Sequence, residues 1–198
     1  MTSAAGKAEQ IFRILNRELW VVTSSDRDSR GGLLATWVSQ ASLDPERPVI
    51  LAGLAPNHHT TALVRNSGRL AVHLLEPDQC NVAWNFCRDS GRARDKLENV
   101  ELEGGVADTP VLTKCHSYLL GQVFACVETG ERTYFWADVV QAEQHSRLAP
   151  LAEQQFIDWC DEEKKAVLRL DKSEDIGVQR EFEAEFRQSI PDWLRFEE

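Results

Sequence analysis

Two short segments concentrate the side chains able to hold a polar ligand. Pro56-Asn57-His58-His59-Thr60-Thr61 places an amide, two imidazoles and hydroxyls just after a proline, and Gly68 closes the stretch that follows. Proline and glycine so placed mark the start and stop of a helix. A helix start offers free main-chain N–H groups and the positive end of the dipole, so Asn57, His58, His59 and Thr60 suit an anion such as phosphate. The second segment, Leu33 to Ser42, reads as a strand whose faces are Leu34, Thr36, Val38, Gln40 and Leu33, Ala35, Trp37, Ser39, Ala41. Neither face is uniformly apolar, which suggests a strand bordering a polar ligand. Plainer readings stand beside these: Thr60 as an ordinary helix-start residue, Ser42 as a turn cap, Thr36 and Ser39 as strand residues satisfied by neighbours.

Other chemistries find less support. A metal at His58-His59 lacks a carboxylate or third histidine at ligand spacing. The five cysteines are an odd number without a CxxC pair, which argues against a disulfide framework and tetrahedral zinc. Cys80 and Cys87, seven apart, read as small buried residues on one helix face. His73, on an apolar strand, reads as a satisfied core histidine. There is no GxGxxG, GxxxxGK[ST] or GxSxG, so a Rossmann domain, a P-loop or a serine hydrolase lacks its signal.

The elements that must position these residues follow from hydrophobic spacing. Ala8 to Asn16 reads as an amphipathic helix and Leu19 to Thr23 as a strand, with Ser24 to Gly32 as a hairpin loop before Leu33 to Ser42. Val49 to Leu54 and Leu70 to Leu75 read as further strands, and Pro77 opens a helix reaching Cys87. Leu119 to Val127, a Thr129-Gly130 turn and Tyr134 to Val140 form the clearest hairpin. About six strands with short helices between them predict a closed or nearly closed antiparallel barrel. From Pro150 the composition shifts to Glu, Lys, Arg and Gln with scattered aromatics. Residues 1–150 are therefore expected to form the barrel domain and residues 151–198 a helical C-terminal extension of two or three amphipathic helices.

With 198 residues the chain can bury a core without staples. Its net charge of −10 and the lack of a basic stripe speak against nucleic acid. No apolar run approaches membrane-spanning length, and charge by Lys7 and Glu9 is unlike a signal peptide, so a cytoplasmic location is expected.

Thr36 to Pro45, His58-His59-Thr60, Gly68 to His73, Asp95-Lys96-Leu97 and Gly130-Glu131-Arg132-Thr133 follow one another in a specific order and spacing. In this the sequence resembles the flavin-reductase-like family. Its members carry a T-A-S-x-x-x-S-x-S-x-x-P strand and turn, an S-S-T helix start, a G-x-F-x-V-N strand, a D-K-F block and a G-D-H-T hairpin. Trp37 to Ser42 is also similar to the flavin-reductase module of flavodiiron-type proteins. The resemblance spans roughly Leu19 to Gln141. It implies a mainly β fold with peripheral helices, the FMN-binding split β-barrel. It further implies FMN as cofactor (FAD as the alternative), NAD(P)H as donor, a second acceptor such as free flavin, a metal ion or a partner oxygenase, and a homodimer. The flavin ring would lie against Thr36, Trp37, Val38 and Ser39, and its phosphate against Asn57, His58, His59 and Thr60 with Lys96 as the first cation. Two departures bear on function. The helix start has His58-His59 for two serines, and the hairpin histidine often placed beside the nicotinamide is Arg132, with Ala137 for a later glycine. A non-enzymatic flavin carrier or sensor, or a split barrel binding haem or pyridoxine phosphate, are the competing functions.

Overall fold

The computed structural model describes residues 3–27, 29–105 and 108–196. The chain opens with helix α1 (Ala4–Arg13), then strands β1 (Trp20–Asp26), β2 (Ser29–Ala35), β3 (Val38–Gln40) and β4 (Val49–Leu54). Helix α2 (His59–Ser67), strand β5 (Arg69–Leu74) and helix α3 (Cys80–Cys87) follow. Two short strands, β6 (Leu102–Gly104) and β7 (Pro110–Leu112), precede the long hairpin β8 (Ser117–Glu128) and β9 (Thr133–Gln144). Helices α4 (Glu153–Trp159) and α5 (Glu162–Gln188) follow, and a 3₁₀ turn at Asp192–Leu194 comes after them.

Seven strands make one antiparallel sheet in the order β2-β1-β5-β8-β9-β4-β3. The two edge strands, β2 and β3, are consecutive in sequence and separated only by Thr36 and Trp37. So short a connection brings opposite edges of the sheet together, which curls it into a barrel. Packing agrees: Leu33 of β2 and Leu54 of β4, far apart along the sheet, meet in one buried cluster with Val22, Ile50, Leu70, Val72, Phe135 and Ala137.

The period-2 alternation of strands distributes side chains between two cores. Val22, Leu70 and Val72 point into the barrel, while Val21 and Ala71 join an outer core with Ala83 and Phe86 of α3 and Phe156 of α4. The strand β1 is buried on both faces for this reason, and so lacks the polar alternation of a half-exposed strand. α2 ends at Gly68, whose φ of 66° takes the left-handed cap conformation while its N–H bonds the Val64 carbonyl at 2.8 Å.

The expected class, mainly β with peripheral helices, is the observed one, and Val49–Leu54 falls where the spacing put it. Three boundaries differ. Ser24 to Gly32 is mostly ladder, with Thr23 opposite Gly32 and Ser24 opposite Gly31, because small residues also pair well in a tight hairpin. The strand expected over Leu33 to Ser42 breaks at Thr36–Trp37, where the chain changes partner from β1 to β4. Among the described residues the strands number nine, since β6 and β7 have three residues each, too short to show a period.

His73 is the core histidine expected. Its Nδ1 lies 2.9 Å from the Val21 carbonyl, and its Nε2 accepts from the Leu112 N–H at 3.2 Å. Burial pushes its pKa down to about 4, against the pull of the Val21 hydrogen bond, so the ring is neutral.

Candidate functional site

The break between β2 and β3 creates polar surface. β2 pairs with β1 up to Ala35 opposite Trp20, and β3 pairs with β4 from Val38 opposite Ala52. Between them, the Trp37 carbonyl accepts from the Gly53 N–H at 2.8 Å, while the Thr36 peptide groups and the Trp37 N–H have no main-chain partner among the described residues. Unpaired peptide groups beside apolar side chains suit a ligand with an apolar body and a hydrogen-bonding edge. They border a cavity of about 130 Å³ with Leu33, Leu34, Gly53 and Arg132. Trp37 is 41% exposed, and the Arg132 guanidinium lies over its ring, 4.4 Å from the centroid.

This cavity shares Leu33, Leu34, His58 and Asp175 with a larger cleft of about 440 Å³. The larger cleft is walled by the start of α2, the end of α3 and the loop after it. Asn57, His58, His59, Thr60 and Lys96 all line it. Thr60 is 2% exposed, and its hydroxyl has no hydrogen-bond partner among the described residues. The His59 Nε2 sits 3.2 Å from the Ser29 hydroxyl, and burial, then the charge of Arg92, lowers its pKa. The Lys96 ammonium donates to the Phe86 carbonyl at 2.9 Å. Burial, and then the Arg94 charge, pulls its pKa down to about 8, so it remains mostly protonated at neutral pH.

The fourth wall is α5, with Asp171, Glu174 and Asp175. Asp171, Asp175 and Gln179 recur every four residues on one helix face. Arg88 Nη1 donates to Asp171 at 2.9 Å, Asn57 Nδ2 to Asp175 at 3.0 Å, and Arg132 Nη1 to Gln179 at 2.7 Å. His58 Nε2 lies 3.3 Å from the second Asp175 oxygen. The hydrogen bond from His58, then that from Asn57, holds the Asp175 carboxyl below its usual range despite partial burial.

A flavin reductase-like domain model matches residues 12–155. The chain belongs to this family. Among curated relatives of the domain, diflavin flavoprotein A 1 of Synechocystis sp. is 24% identical over 122 residues, 61% of this chain and 21% of the relative. An uncharacterized protein of Aeropyrum pernix is 30% identical over 134 residues, 64% of this chain and 49% of that one. The chain thus spans less than half the length of either relative. Solved structures share the fold. The NADH:FAD oxidoreductase SgcE6 of Streptomyces globisporus superposes with a TM-score of 0.68 at 18% identity, over 77% of this chain and 90% of that one. An FMN-binding protein of Thermus thermophilus gives 0.62 at 18% identity, over 67% and 73%.

The family's split barrel therefore brings together seven of the residues singled out in the sequence as cofactor contacts: Thr36, Trp37, Asn57, His58, His59, Thr60 and Lys96. Arg132 joins them at the Trp37 end. Val38 and Ser39 lie apart from these seven. Val38 belongs to the barrel core, and Ser39 is exposed in the ladder opposite Leu51, so neither lines the cleft. The turn of the chain at Thr36–Trp37 is the reason: beyond it, side chains point into the barrel or away from the cleft. Sequence reasoning missed Asp171, Glu174, Asp175 and Gln179. Their i, i+4 spacing was visible, but acidic residues on a charged helix ordinarily read as a solvated face. Among the described residues no cluster of three His, Cys, Asp or Glu is arranged to hold a metal ion, and no helix is long and apolar enough to cross a membrane.

Proposed function

We propose that the chain is a flavin-dependent oxidoreductase that holds FMN, or the corresponding part of FAD, in this cleft. The observation that carries the reading is the continuity of the cleft. It runs from the unpaired Thr36 peptide groups and Trp37 N–H to the first turn of α2, in a chain of the flavin reductase-like family. The residues fit the group: Leu33 and Leu34 offer apolar surface to a ring, and the peptide groups of Thr36 and Trp37 offer bonds to its polar edge. Thr60, His59, Lys96 and the free N–H groups of α2 are the donors for a phosphate. The names of solved neighbours, one FMN-binding and one an NADH:FAD oxidoreductase, support the same reading.

Bound flavin would supply the redox chemistry, taking a hydride from NADH or NADPH and passing electrons to free flavin, a metal ion or a partner oxygenase. The protein's part is placement and exclusion of water. A homodimer is part of the proposal, supported by Phe124 and Val140, which are exposed on the β8–β9 hairpin. The five free cysteines accord with a reducing cytoplasm.

Mixing the flavin-loaded protein anaerobically with NADH and with NADPH tests the activity. Rapid loss of the oxidised-flavin absorbance with at least one donor is expected. A second reading, a flavin carrier without its own nicotinamide reaction, is favoured by Arg132. Both Gln179 and the Trp37 ring occupy that side chain rather than leaving it free to meet a dinucleotide. Flavin bleached by dithionite but by neither nicotinamide identifies the carrier.

The phosphate contact is tested separately. Thr60→Val keeps the shape and removes the hydroxyl, and should weaken FMN binding by about 1.5–3 kcal/mol, the value of a hydrogen bond to a charged group. An unchanged dissociation constant would place the phosphate elsewhere.

A further inference from the structure

At the entrance to α2 the protein supplies a carboxylate of its own. Asp175 comes from the middle of α5 and takes the Asn57 amide at 3.0 Å and the His58 ring at 3.3 Å. These two residues lead into the first turn of α2, whose free main-chain N–H groups and helix dipole favour an anion. Asp175 is delivered there by contacts one helical turn to either side: Asp171 with Arg88, and Gln179 with Arg132. Other polar groups at the same place remain unsatisfied. The Thr60 hydroxyl, on a residue only 2% exposed, lines the cleft with no hydrogen-bond partner among the described residues, whereas the buried, unpartnered Asn57 Oδ1 is an acceptor and calls for a donor rather than an anion.

The helix start and the Thr60 hydroxyl suit an anion, and the Asn57 amide and His58 ring beside them are already committed to an internal one. A phosphate dianion reaching for Asn57 and His58 meets the Asp175 charge at close range, in a cleft where solvent screening is reduced. α5 is attached at this point chiefly through polar side chains, while Leu170, Ile176 and Val178 are exposed. Polar docking of this kind exchanges readily for water.

We infer that Asp175 is a specificity-determining residue that competes with the terminal phosphate of a flavin for Asn57 and His58. The wild-type cleft then discriminates little between riboflavin and FMN, and full use of the phosphate requires Asp175 to withdraw. The inference rests on the flavin reading above and names which flavin the same cleft prefers.

Dissociation constants of FMN and riboflavin for the wild type, Asp175→Asn, Asp175→Ser and Glu174→Gln test it. Glu174 lines the same cleft and controls for bulk charge. Both Asp175 substitutions should tighten FMN by roughly tenfold or more and change riboflavin by less than about twofold, with Glu174→Gln altering the FMN-to-riboflavin ratio little. An unchanged ratio in both Asp175 variants, with riboflavin still bound, overturns this inference and leaves the flavin reading standing. An equal change in Glu174→Gln overturns it too, since long-range charge would then suffice. Folded protein that binds neither flavin in any variant overturns the flavin reading, and this inference with it.

Discussion

Gly130→Ala should lift α5 from the cleft while the barrel stays folded. Gly130 forms the turn between β8 and β9 with φ of 77°, a conformation that costs an alanine roughly 1–2 kcal/mol. The turn also presses against α5. An added methyl would stand 2.7 Å from the Phe182 carbonyl carbon and 2.8 Å from Glu183 Cα, and it would overlap the Phe182 carbonyl oxygen. Overpacking of this kind typically costs about 1–3 kcal/mol when the neighbour is rigid. The neighbour here is helix backbone, which cannot swing aside as a side chain can. The contacts opposing it are the packing of Leu168 against the outer core and the three polar attachments through Asp171, Asp175 and Gln179, which involve charged but partly exposed groups and contribute about 1 kcal/mol each after solvent screening. The strain at Gly130 is of the same order as the polar attachments it bears on, so their hold on this part of α5 weakens. Limited proteolysis or amide exchange across residues 162–188 reads the outcome. Faster cleavage and exchange in the variant is expected, and protection equal to the wild type would show that the turn does not hold α5.

The second large effect belongs to His73. Loss of its ring in His73→Leu leaves the Leu112 N–H without its acceptor and removes the bond to the Val21 carbonyl. The sum is about 2–4 kcal/mol of stability at neutral pH. The same residue sets a pH dependence. Its pKa is depressed from 6.5 to about 4 in the folded protein, so below pH 6.5 the unfolded chain takes a proton that the folded chain refuses. Stability therefore rises with pH through this window and is lost as pH falls from 6.5 toward 4, by about 3 kcal/mol in all. The leucine variant has no such proton to gain. Its deficit relative to the wild type should shrink by about 3 kcal/mol between pH 7 and pH 4. Urea denaturation at the two pH values measures it, and a deficit independent of pH would show that the ring is protonated alike in both states.

The strand–helix order of the barrel was legible because each strand carries its own period and its own stops. Pro56 and Gly68 bracket α2 as the sequence implied, and the donors of its first turn come with it. Lys96, forty residues beyond Pro56 in the chain, could be joined to that turn only by resemblance, and the cleft brings it there. What the sequence hid depends on long-range geometry. No local pattern distinguishes Val38, which turns into the core, from Thr36, which stays at the cleft two residues earlier. The break between them comes from a change of partner strand, and the partners lie elsewhere in the chain. The acidic wall was hidden for a similar reason. Asp171, Glu174 and Asp175 read as solvent-facing on a helix rich in charge, until packing turns that face toward Arg88, Asn57 and His58.

Equilibrium titration of the purified protein with FMN, followed by the quenching of flavin fluorescence and by a difference spectrum, tests the cleft most directly. Saturable binding of one flavin per chain, weakened by Thr60→Val, is the result predicted. Folded wild-type protein that leaves the spectrum of every added flavin unchanged would contradict it.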